Sequence, residues 1–191
     1  MCGRESRPER IQFVDRITLE IKLNRDRAWL LETMCGMTPE VLLQGVTLSE
    51  HDPTSTWTPQ DHLAHLAGIE KTFNRMIGRH LAGNANPVGL RTGDDGQPRS
   101  REAIMAGVHA MTEAWVQQHR GKSLSDIVAV GEQVRAETLT LLASLTDAQL
   151  TESLPGAPWA DGTIGGVLSV NGDHARMHYR WIEEGLARAR D

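Results

Sequence analysis

Two histidines stand four residues apart near the end of the chain, in the segment NGDHARMHYRW. On a helix, His174 and His178 project from one face, one turn apart, so both imidazole rings can reach a single ion. The same face also carries apolar residues, namely Val167, Val170 and Trp181. Such pairs occur by chance on helix surfaces, but this apolar setting predicts that the two rings point inward. Because burying a polar group without a partner costs about 1–3 kcal/mol, a shared metal ion is the favoured interpretation.

A third nitrogen ligand could come from the segment WTPQDHLAHLAGIE, in which His62 and His65 both flank an apolar face. Metal sites in helical bundles draw their ligands from facing helices, so either histidine could complete the site. Periodicity alone leaves this choice open. Asp61 could orient one of the rings, or it could simply complement the positive end of the helix dipole.

Other polar residues near these histidines could assist a reaction. Glu70 and Asp173 are candidate acids or bases by position, and each could equally be a solvated carboxylate on a helix face. Asn171 and Tyr179 could form hydrogen bonds near the site, or they could be ordinary polar residues of the helix. The remaining histidines lie in or beside polar segments, and we expect them to be exposed: His51, His80, His109 and His119.

The composition of the 191-residue chain narrows the class of protein. Hydrophobic residues make up 39% and charged residues 24%, which is typical of a soluble globular protein. The net charge of −5 and the absence of clustered lysine and arginine argue against nucleic acid as a partner. The sequence has no apolar run approaching the roughly 18 residues that would predict a membrane span, so we expect no membrane partner.

The two cysteines and the N-terminus bear on the cellular compartment. Cys2 lies in residues 1–10, which we expect to be disordered, so Cys35 has no evident partner for an internal disulfide. Cys35 ends an apolar helical stripe, where a buried and unreactive thiol is expected. The polar N-terminus is followed by no apolar segment that would indicate a signal peptide. We therefore expect a cytoplasmic protein.

Apolar residues recur at helical spacing from the beginning of the chain, whereas sustained alternation is scarce. A first helix is predicted over residues 11–34, interrupted on its apolar side by Asn24. Its predicted inward stripe consists of Ile11, Val14, Ile17, Ile21, Ala28 and Leu31. A second helix should begin at Pro59 and be capped by Thr58, because Thr at the cap and Pro at the first position are favoured there.

Three further helices are predicted in the second half of the chain. Their expected ranges are 101–119, 124–145 and 164–189, with Ser100 capping the first and Thr163 the last. The residues between them, and those after the second helix, are rich in glycine, proline, asparagine and aspartate. The two main connections are therefore 82–99 and 146–162.

Four long helices and one shorter one indicate an all-α protein, a four-helix bundle with a short extra helix in the crossover. The long connection that carries this extra helix lets the second and third long helices run parallel. We expect residues 11–191 to form this bundle as a single domain. The tracts MTPEVL and LTDAQL form a faint echo ahead of the two histidine-bearing helices, but two copies do not establish a repeat.

These features together resemble the DinB-like superfamily. The resemblance is carried by the segment 57–70, by the tracts MTPEVLLQ and LTDAQL, and by the terminal HARMHYRWI, and it extends from about Ile11 onward. In this family the first metal-binding histidine follows a tryptophan by eight positions, which implies that His65 rather than His62 is the ligand. The other two family ligands correspond to the terminal pair four positions apart. The resemblance also implies an up-down-down-up bundle and often a homodimer.

The family includes mycothiol- and bacillithiol-dependent enzymes, so the resemblance implies a thiol-dependent metalloenzyme. Three nitrogen ligands without an evident fourth describe an open site of the catalytic kind, for zinc, nickel or iron. We expect a metal-dependent transferase in which a small thiol such as mycothiol or bacillithiol attacks an electrophilic substrate. The alternatives are a metal-dependent hydrolase that activates water and a non-catalytic metal-binding module of a stress response.

Overall fold

The computed structural model describes residues 15–93 and 95–189. The segment 1–10, predicted to be disordered, lies outside this range. The described residues form seven helices and two short antiparallel strands. In chain order these are α1 (Arg16–Cys35), α2 (Pro39–Leu42), β1 (Thr47–Leu48), β2 (Thr56–Trp57), α3 (Pro59–Leu81), α4 (Arg101–His119), α5 (Leu124–Ser144), α6 (Asp147–Leu150) and α7 (Ile164–Arg188).

The helices α3, α4, α5 and α7 begin where the sequence predicts them to begin, whereas α1 begins at Arg16, after the cap Asp15, and not at residue 11. The side chains of Thr58, Ser100 and Thr163 each accept a hydrogen bond from a backbone N–H of the first turn of α3, α4 and α7. These bonds satisfy donors that have no partner within the helix itself. The crossover helix α4 has 19 residues and is nearly as long as α1, which has 20, so the extra helix is not short. Gly121 follows it with φ +83°, a conformation that glycine adopts without strain.

The two central helices of the chain, α3 and α5, run parallel. Gln60 donates a hydrogen bond to the carbonyl of Lys122 near the start of both helices. Further along, Asn74 donates to the hydroxyl of Thr138. Both contacts advance in the same direction along the two helices by similar distances, as expected when a long connection carrying α4 joins them.

The outer helices of the chain complete the predicted order. Lys22 near the start of α1 donates to the carbonyl of Ser169 near the start of α7, so these two helices also run parallel. Arg16 at the start of α1 donates to the carbonyl of Ala143 at the end of α5, so α1 and α5 are antiparallel. The bundle formed by α1, α3, α5 and α7 is therefore up-down-down-up, and the all-α fold predicted from the sequence is confirmed.

The bundle interior consists of two apolar clusters with a polar layer between them. One cluster is built around Leu23, Phe73 and Ile164, and the other around Leu30 and Leu63. Each helix of the bundle contributes one or two buried polar residues to the layer between the clusters. These are Asp26, Arg27, Glu70, Arg135, Thr138 and Asn171. The core of the bundle is thus not continuous along its axis.

The inward stripe predicted for the first helix is wrong. Ile17 and Ile21 are 66% and 62% exposed, and Ala28 is also exposed, whereas Leu31 is half-buried. The buried face of α1 instead carries Leu19, Leu23, Asp26, Arg27, Leu30 and Met34. On this face Asp26 pairs with Lys22 and Arg25 of α1 and with Arg176 of α7, and Arg27 lies 3.8 Å from Glu132 of α5. Cys35, predicted to be buried, is exposed, because it lies two turns after Ala28 on the same exposed side of α1. Ile11 and Val14 lie outside the described residues.

The two echoing tracts form matching structures. MTPEVL contains α2 and LTDAQL contains α6, both of which are helices of four residues. Thr38 and Thr146 cap them in the same way, each accepting a hydrogen bond from the third residue of its helix. Within the part of the chain that the structure describes, no helix is both long enough and apolar enough to cross a membrane.

Candidate metal centre

The start of α3 and the middle of α7 face each other in the bundle. Thr58 and Asp61 form a reciprocal capping box, which fixes where α3 begins and therefore which way its first turns point. His62 and His65 lie in these turns, and the ring of Trp57 packs against both, with centroids 5.4 and 5.1 Å away. Because α3 and α7 are antiparallel, the first turns of α3 meet the turn of α7 that carries His178.

The structure brings together the three histidines predicted as ligands. His65, His174 and His178 each offer a ring nitrogen, and these atoms all lie within 4.8 Å of one another. The Nε2 atoms of His174 and His178 are 2.9 Å apart. The ring of His65 lies with its centroid 4.6 Å from that of His178 and 5.3 Å from that of His174. His65, and not His62, is the histidine of α3 in this group.

The three rings are neutral at pH 7. Burial lowers the pKa of His65 to about 3, with a further contribution from the neighbouring His174. Burial lowers the pKa of His174 to about 4, and it also lowers the pKa of His178, to which the surrounding histidines add. A neutral imidazole keeps a lone pair, which is the form that binds a metal ion.

The residues present fit a divalent ion. The buried Nδ1 atom of His65 has no hydrogen-bond partner among the described residues. An orphaned buried polar atom is costly and rare, so a group that supplies a partner stabilises the site. Three neutral imidazoles with no carboxylate among them form a donor set suited to zinc, nickel or iron rather than to calcium or magnesium.

His62 lies beside this cluster and contacts one of its members. Its Nδ1 atom is 2.7 Å from Nδ1 of His178, and its Nε2 atom is 2.9 Å from the hydroxyl of Thr47. A His178 ring that binds an ion through Nε2 keeps its proton on Nδ1 and can donate it to His62, which then donates to Thr47. His62 is therefore placed to orient a ligand. Sequence spacing offered no sign of these two contacts, because they depend on how α7 and β1 pack against α3.

A cavity of about 670 Å³ adjoins the histidines, between α3 and α7 on one side and α4 with the connection 88–99 on the other. Its wall includes His65, His174 and His178. Among the described residues that line it, Glu50 is the one carboxylate, and it pairs with His109 at 2.7 Å.

The two carboxylates suggested from the sequence do not lie at this cavity. Glu70 is 5% exposed and accepts hydrogen bonds from Arg135, with Nε 2.7 Å and Nη2 3.1 Å away, and from the hydroxyl of Thr138. Asp173 points to solvent, with 75% of its side chain exposed and Lys22 Nζ 3.8 Å away. The expectation that either could act as an acid or base at the histidines is therefore not supported. Glu70 points into the bundle because Arg135 neutralises it there.

Asn171 and Tyr179 are also placed away from the histidine cluster. Asn171 belongs to the polar layer and donates to the carbonyl of Leu168. Tyr179 packs edge-on against Trp29, with ring centroids 5.5 Å apart. Both residues therefore act in the packing of α7 against its neighbours, and neither lines the cavity.

The expectation that the other four histidines are exposed holds only for His51. His119 is buried, with Nδ1 2.8 Å from the carbonyl of Trp115. His80 and His109 are half-buried, because each lies beside a carboxylate on a neighbouring segment. A histidine in a polar stretch of sequence can thus be partly or fully buried where a hydrogen-bonding or charged partner lies beside it.

A buried carboxylate that the sequence did not indicate holds α4 in place. Glu113 accepts hydrogen bonds from Trp57 Nε1 at 2.8 Å, from the hydroxyls of Ser49 and Ser55, and from Gln117. Burial alone would raise the pKa of Glu113, but these bonds lower it overall, so the side chain is ionised. Because Trp57 also packs on His62 and His65, Glu113 ties α4 to the histidine cluster.

Comparison with known proteins agrees with this architecture. The sequence model of the DinB superfamily matches residues 22–182. The solved structure of an uncharacterised protein from Escherichia coli UTI89 superposes with a TM-score of 0.61 over 92% of this chain and 95% of that chain, and at 15% identity it supports the fold alone. A search of curated proteins gives no match. The chain belongs to the DinB superfamily.

Proposed function

We propose that the protein is a metal-dependent enzyme in which His65, His174 and His178 hold one divalent ion. The observation that carries this proposal is the meeting of three neutral ring nitrogens, within 4.8 Å of one another, at the wall of a cavity of about 670 Å³. Structural zinc sites use four protein ligands, whereas catalytic sites use three and leave a position open to the substrate. Zinc and nickel suit this donor set best, and iron is also compatible with it.

We propose further that the reaction is the transfer of a small thiol, such as mycothiol or bacillithiol, to an electrophilic small molecule. An ion in the site would act as a Lewis acid that favours the thiolate over the thiol at neutral pH. The chain's own residues prepare the site for this chemistry. Burial keeps the ligand imidazoles neutral, His62 and Trp57 hold their orientation, and the apolar wall limits water around the nucleophile.

Hydrolysis is the second candidate, and the contacts of the carboxylates favour it less. A metal-dependent hydrolase uses an acid or base beside the activated water. Glu70 is held by Arg135, Asp173 faces solvent, and Glu50 is paired with His109. Thiol transfer needs no such carboxylate, because the thiol loses its proton more readily than water does. A non-catalytic ion would leave the adjoining cavity without a role.

The test is turnover with a thiol and a model electrophile. Protein loaded with zinc or nickel is incubated with mycothiol or bacillithiol and 1-chloro-2,4-dinitrobenzene, and thioether formation is followed by absorbance. We expect turnover that chelation abolishes and that His174→Ala removes, while the adjacent and exposed Asp173→Ala retains it. Metal-loaded protein that forms no thioether with either thiol would contradict the transferase. Ester hydrolysis that is lost on chelation would then favour the hydrolase.

A further inference from the structure

The cavity beside the three histidines is large and mainly apolar. Its volume of about 670 Å³ falls within the range of pockets that bind drug-sized molecules, roughly 300–1,000 Å³. Its wall combines aromatic and aliphatic side chains from four segments, including Phe73, Ile104, Val170 and Trp159. A wall of this kind favours an apolar molecule over a small polar acid.

Several large apolar side chains that remain exposed on this protein converge on the cavity. Met105, Met111 and Trp181 are 43%, 38% and 39% exposed, and all three line it. Exposed apolar residues scattered singly are normal, but a contiguous set around a concavity is typical of a binding site. Covering these side chains with an apolar molecule removes their surface from water, which favours binding.

Methionine is concentrated in the same wall. Four of the seven methionines of the chain line the cavity, namely Met76, Met105, Met111 and Met177. The unbranched thioether side chain is flexible and polarizable, so a wall rich in methionine adapts to apolar molecules of different outline. The wall therefore predicts that the cavity accepts molecules of different shapes, provided that they are apolar.

The charged groups that line the cavity are at its solvent side. The side chain of Glu50 is 74% exposed and is paired with His109, and Arg75 and Arg99 are also exposed. The three histidines, in contrast, are neutral, and His65 and His178 are buried while His174 is half-buried. The hydroxyls that line the cavity already have partners within the protein, namely those of Thr47, Ser49, Thr72 and Thr112. A bound molecule thus meets mainly apolar surface.

We infer that this cavity binds the electrophilic substrate, and that this substrate is a bulky apolar molecule, aliphatic or aromatic, whose reacting atom faces His65, His174 and His178. The identification of this molecule as the substrate rests on the proposed function. The affinity of the cavity for apolar molecules does not, because it follows from the wall residues alone.

The chain offers a matched pair of variants for a test. Gly107 lies in α4 and lines the cavity, and a Cβ atom added there meets no other atom within 4 Å. Gly78 lies in α3 away from the cavity, and a Cβ atom there likewise meets nothing within 4 Å. Both glycines are helical and exposed. Gly107→Trp therefore places an indole ring at the wall of the cavity, while Gly78→Trp makes the same chemical change elsewhere.

The measurement is titration with the neutral fluorescent probe N-phenyl-1-naphthylamine, with metal content determined on the same samples. We expect saturable binding of one probe per wild-type chain, binding weaker by at least about tenfold in Gly107→Trp, and unchanged binding in Gly78→Trp. Met111→Glu, which adds a charge at an already exposed wall position, should weaken the probe similarly. Long-chain alcohols should displace the probe, and glucose should not.

Two results would overturn the inference: no saturable binding by the wild type, or equal binding by wild type and Gly107→Trp when circular dichroism shows both to be folded. The metal measurement separates this inference from the proposed function. Probe binding that Gly107→Trp weakens, in a wild-type protein that takes up no zinc or nickel, would support the apolar cavity and contradict the metalloenzyme. Metal uptake by a wild-type protein that does not bind the probe would contradict the apolar cavity and support the metal site.

Discussion

His65 and Glu70 are five positions apart on α3 and belong to two different buried polar clusters. Glu70 lies in the polar layer of the bundle, where Arg135 and Thr138 donate three hydrogen bonds to its carboxylate. His65 lies at the cavity, where its cluster holds no counter-charge and its buried Nδ1 atom has no partner among the described residues. A satisfied cluster has nothing left to offer a ligand, whereas an incomplete cluster at a cavity is a candidate binding site.

The polar layer is itself satisfied except at one side chain. Arg27 is 8% exposed, and its Nε and Nη2 atoms have no hydrogen-bond partner within the described parts of the chain. Burial lowers the pKa of Arg27, and Glu70 opposes this effect. The side chain borders a small space of about 20 Å³, which is room for a single water molecule. The layer therefore differs from the histidine cluster in having no space for a larger ligand.

The largest effect is expected for Glu70→Ala, which should lower the free energy of unfolding and leave metal binding unchanged. Glu70→Ala leaves Arg135 buried without its partner, and breaking a buried ion pair in this way costs about 3–5 kcal/mol of the free energy of unfolding. Urea denaturation measures this loss, and Asp173→Ala serves as the exposed control. The Glu70→Ala protein should bind as much metal as the wild type under conditions where it is folded. A loss of bound metal, or a stability close to that of the control, would contradict the separate roles of the two clusters.

A smaller effect is expected from the contact between His62 and His178. Removing a group that orients a metal ligand lowers metal affinity by about 10–100-fold, which corresponds to about 1.4–2.7 kcal/mol. His62→Ala should show this loss in competition with a chromogenic chelator, and His62→Gln should recover part of it, since an amide can accept from His178 and donate to Thr47. His119→Ala is the control for removing a buried histidine. Equal affinity of His62→Ala and wild type would contradict an orienting role.

A further effect is a dependence of stability on pH in metal-free protein. An unfolded histidine titrates near pH 6.5, whereas the pKa of both His62 and His174 is about 4 in the folded protein. Between these values the unfolded chain binds more protons, so stability present above pH 6.5 is lost as the pH falls toward 4.

This pH effect is measured as a melting temperature at pH 7, 5.5 and 4. Replacing one of the titrating groups in His174→Met should make the fall smaller than in the wild type, by about 2–4 °C for each kcal/mol removed in a domain of this size. The polar layer is the same in the wild type and in His174→Met, so it predicts no difference between their melting temperatures. Parallel melting curves would therefore contradict the neutral state of the buried histidines.

Local signals in the sequence predicted the elements of the fold well. The caps at Thr58, Ser100 and Thr163 predict helix starts because capping involves only residues of the first turn. The parallel pair of central helices follows from the length of the crossover. The cluster of His65 with the terminal pair required the family spacing as well, since periodicity alone did not separate His65 from His62.

Features that depend on packing between helices could not be predicted in this way. α1 carries apolar residues on two faces, and only its neighbours decide that the face with Asp26 and Arg27 is buried. Glu70 and Glu113 look like solvated helix residues until their partners from other segments are known. The cavity is formed by α4 and connections that are far apart in the sequence, so its volume and apolar wall have no local signal.

Elemental analysis decides whether the three histidines hold one divalent ion. Wild-type protein and the His65→Ala, His174→Ala, His178→Ala and His119→Ala variants are purified, incubated with zinc or nickel and freed of unbound metal. We expect about one ion per chain in the wild type and in His119→Ala, and close to none in the other three. Full occupancy in His178→Ala, or no metal in the wild type with either ion, would contradict it.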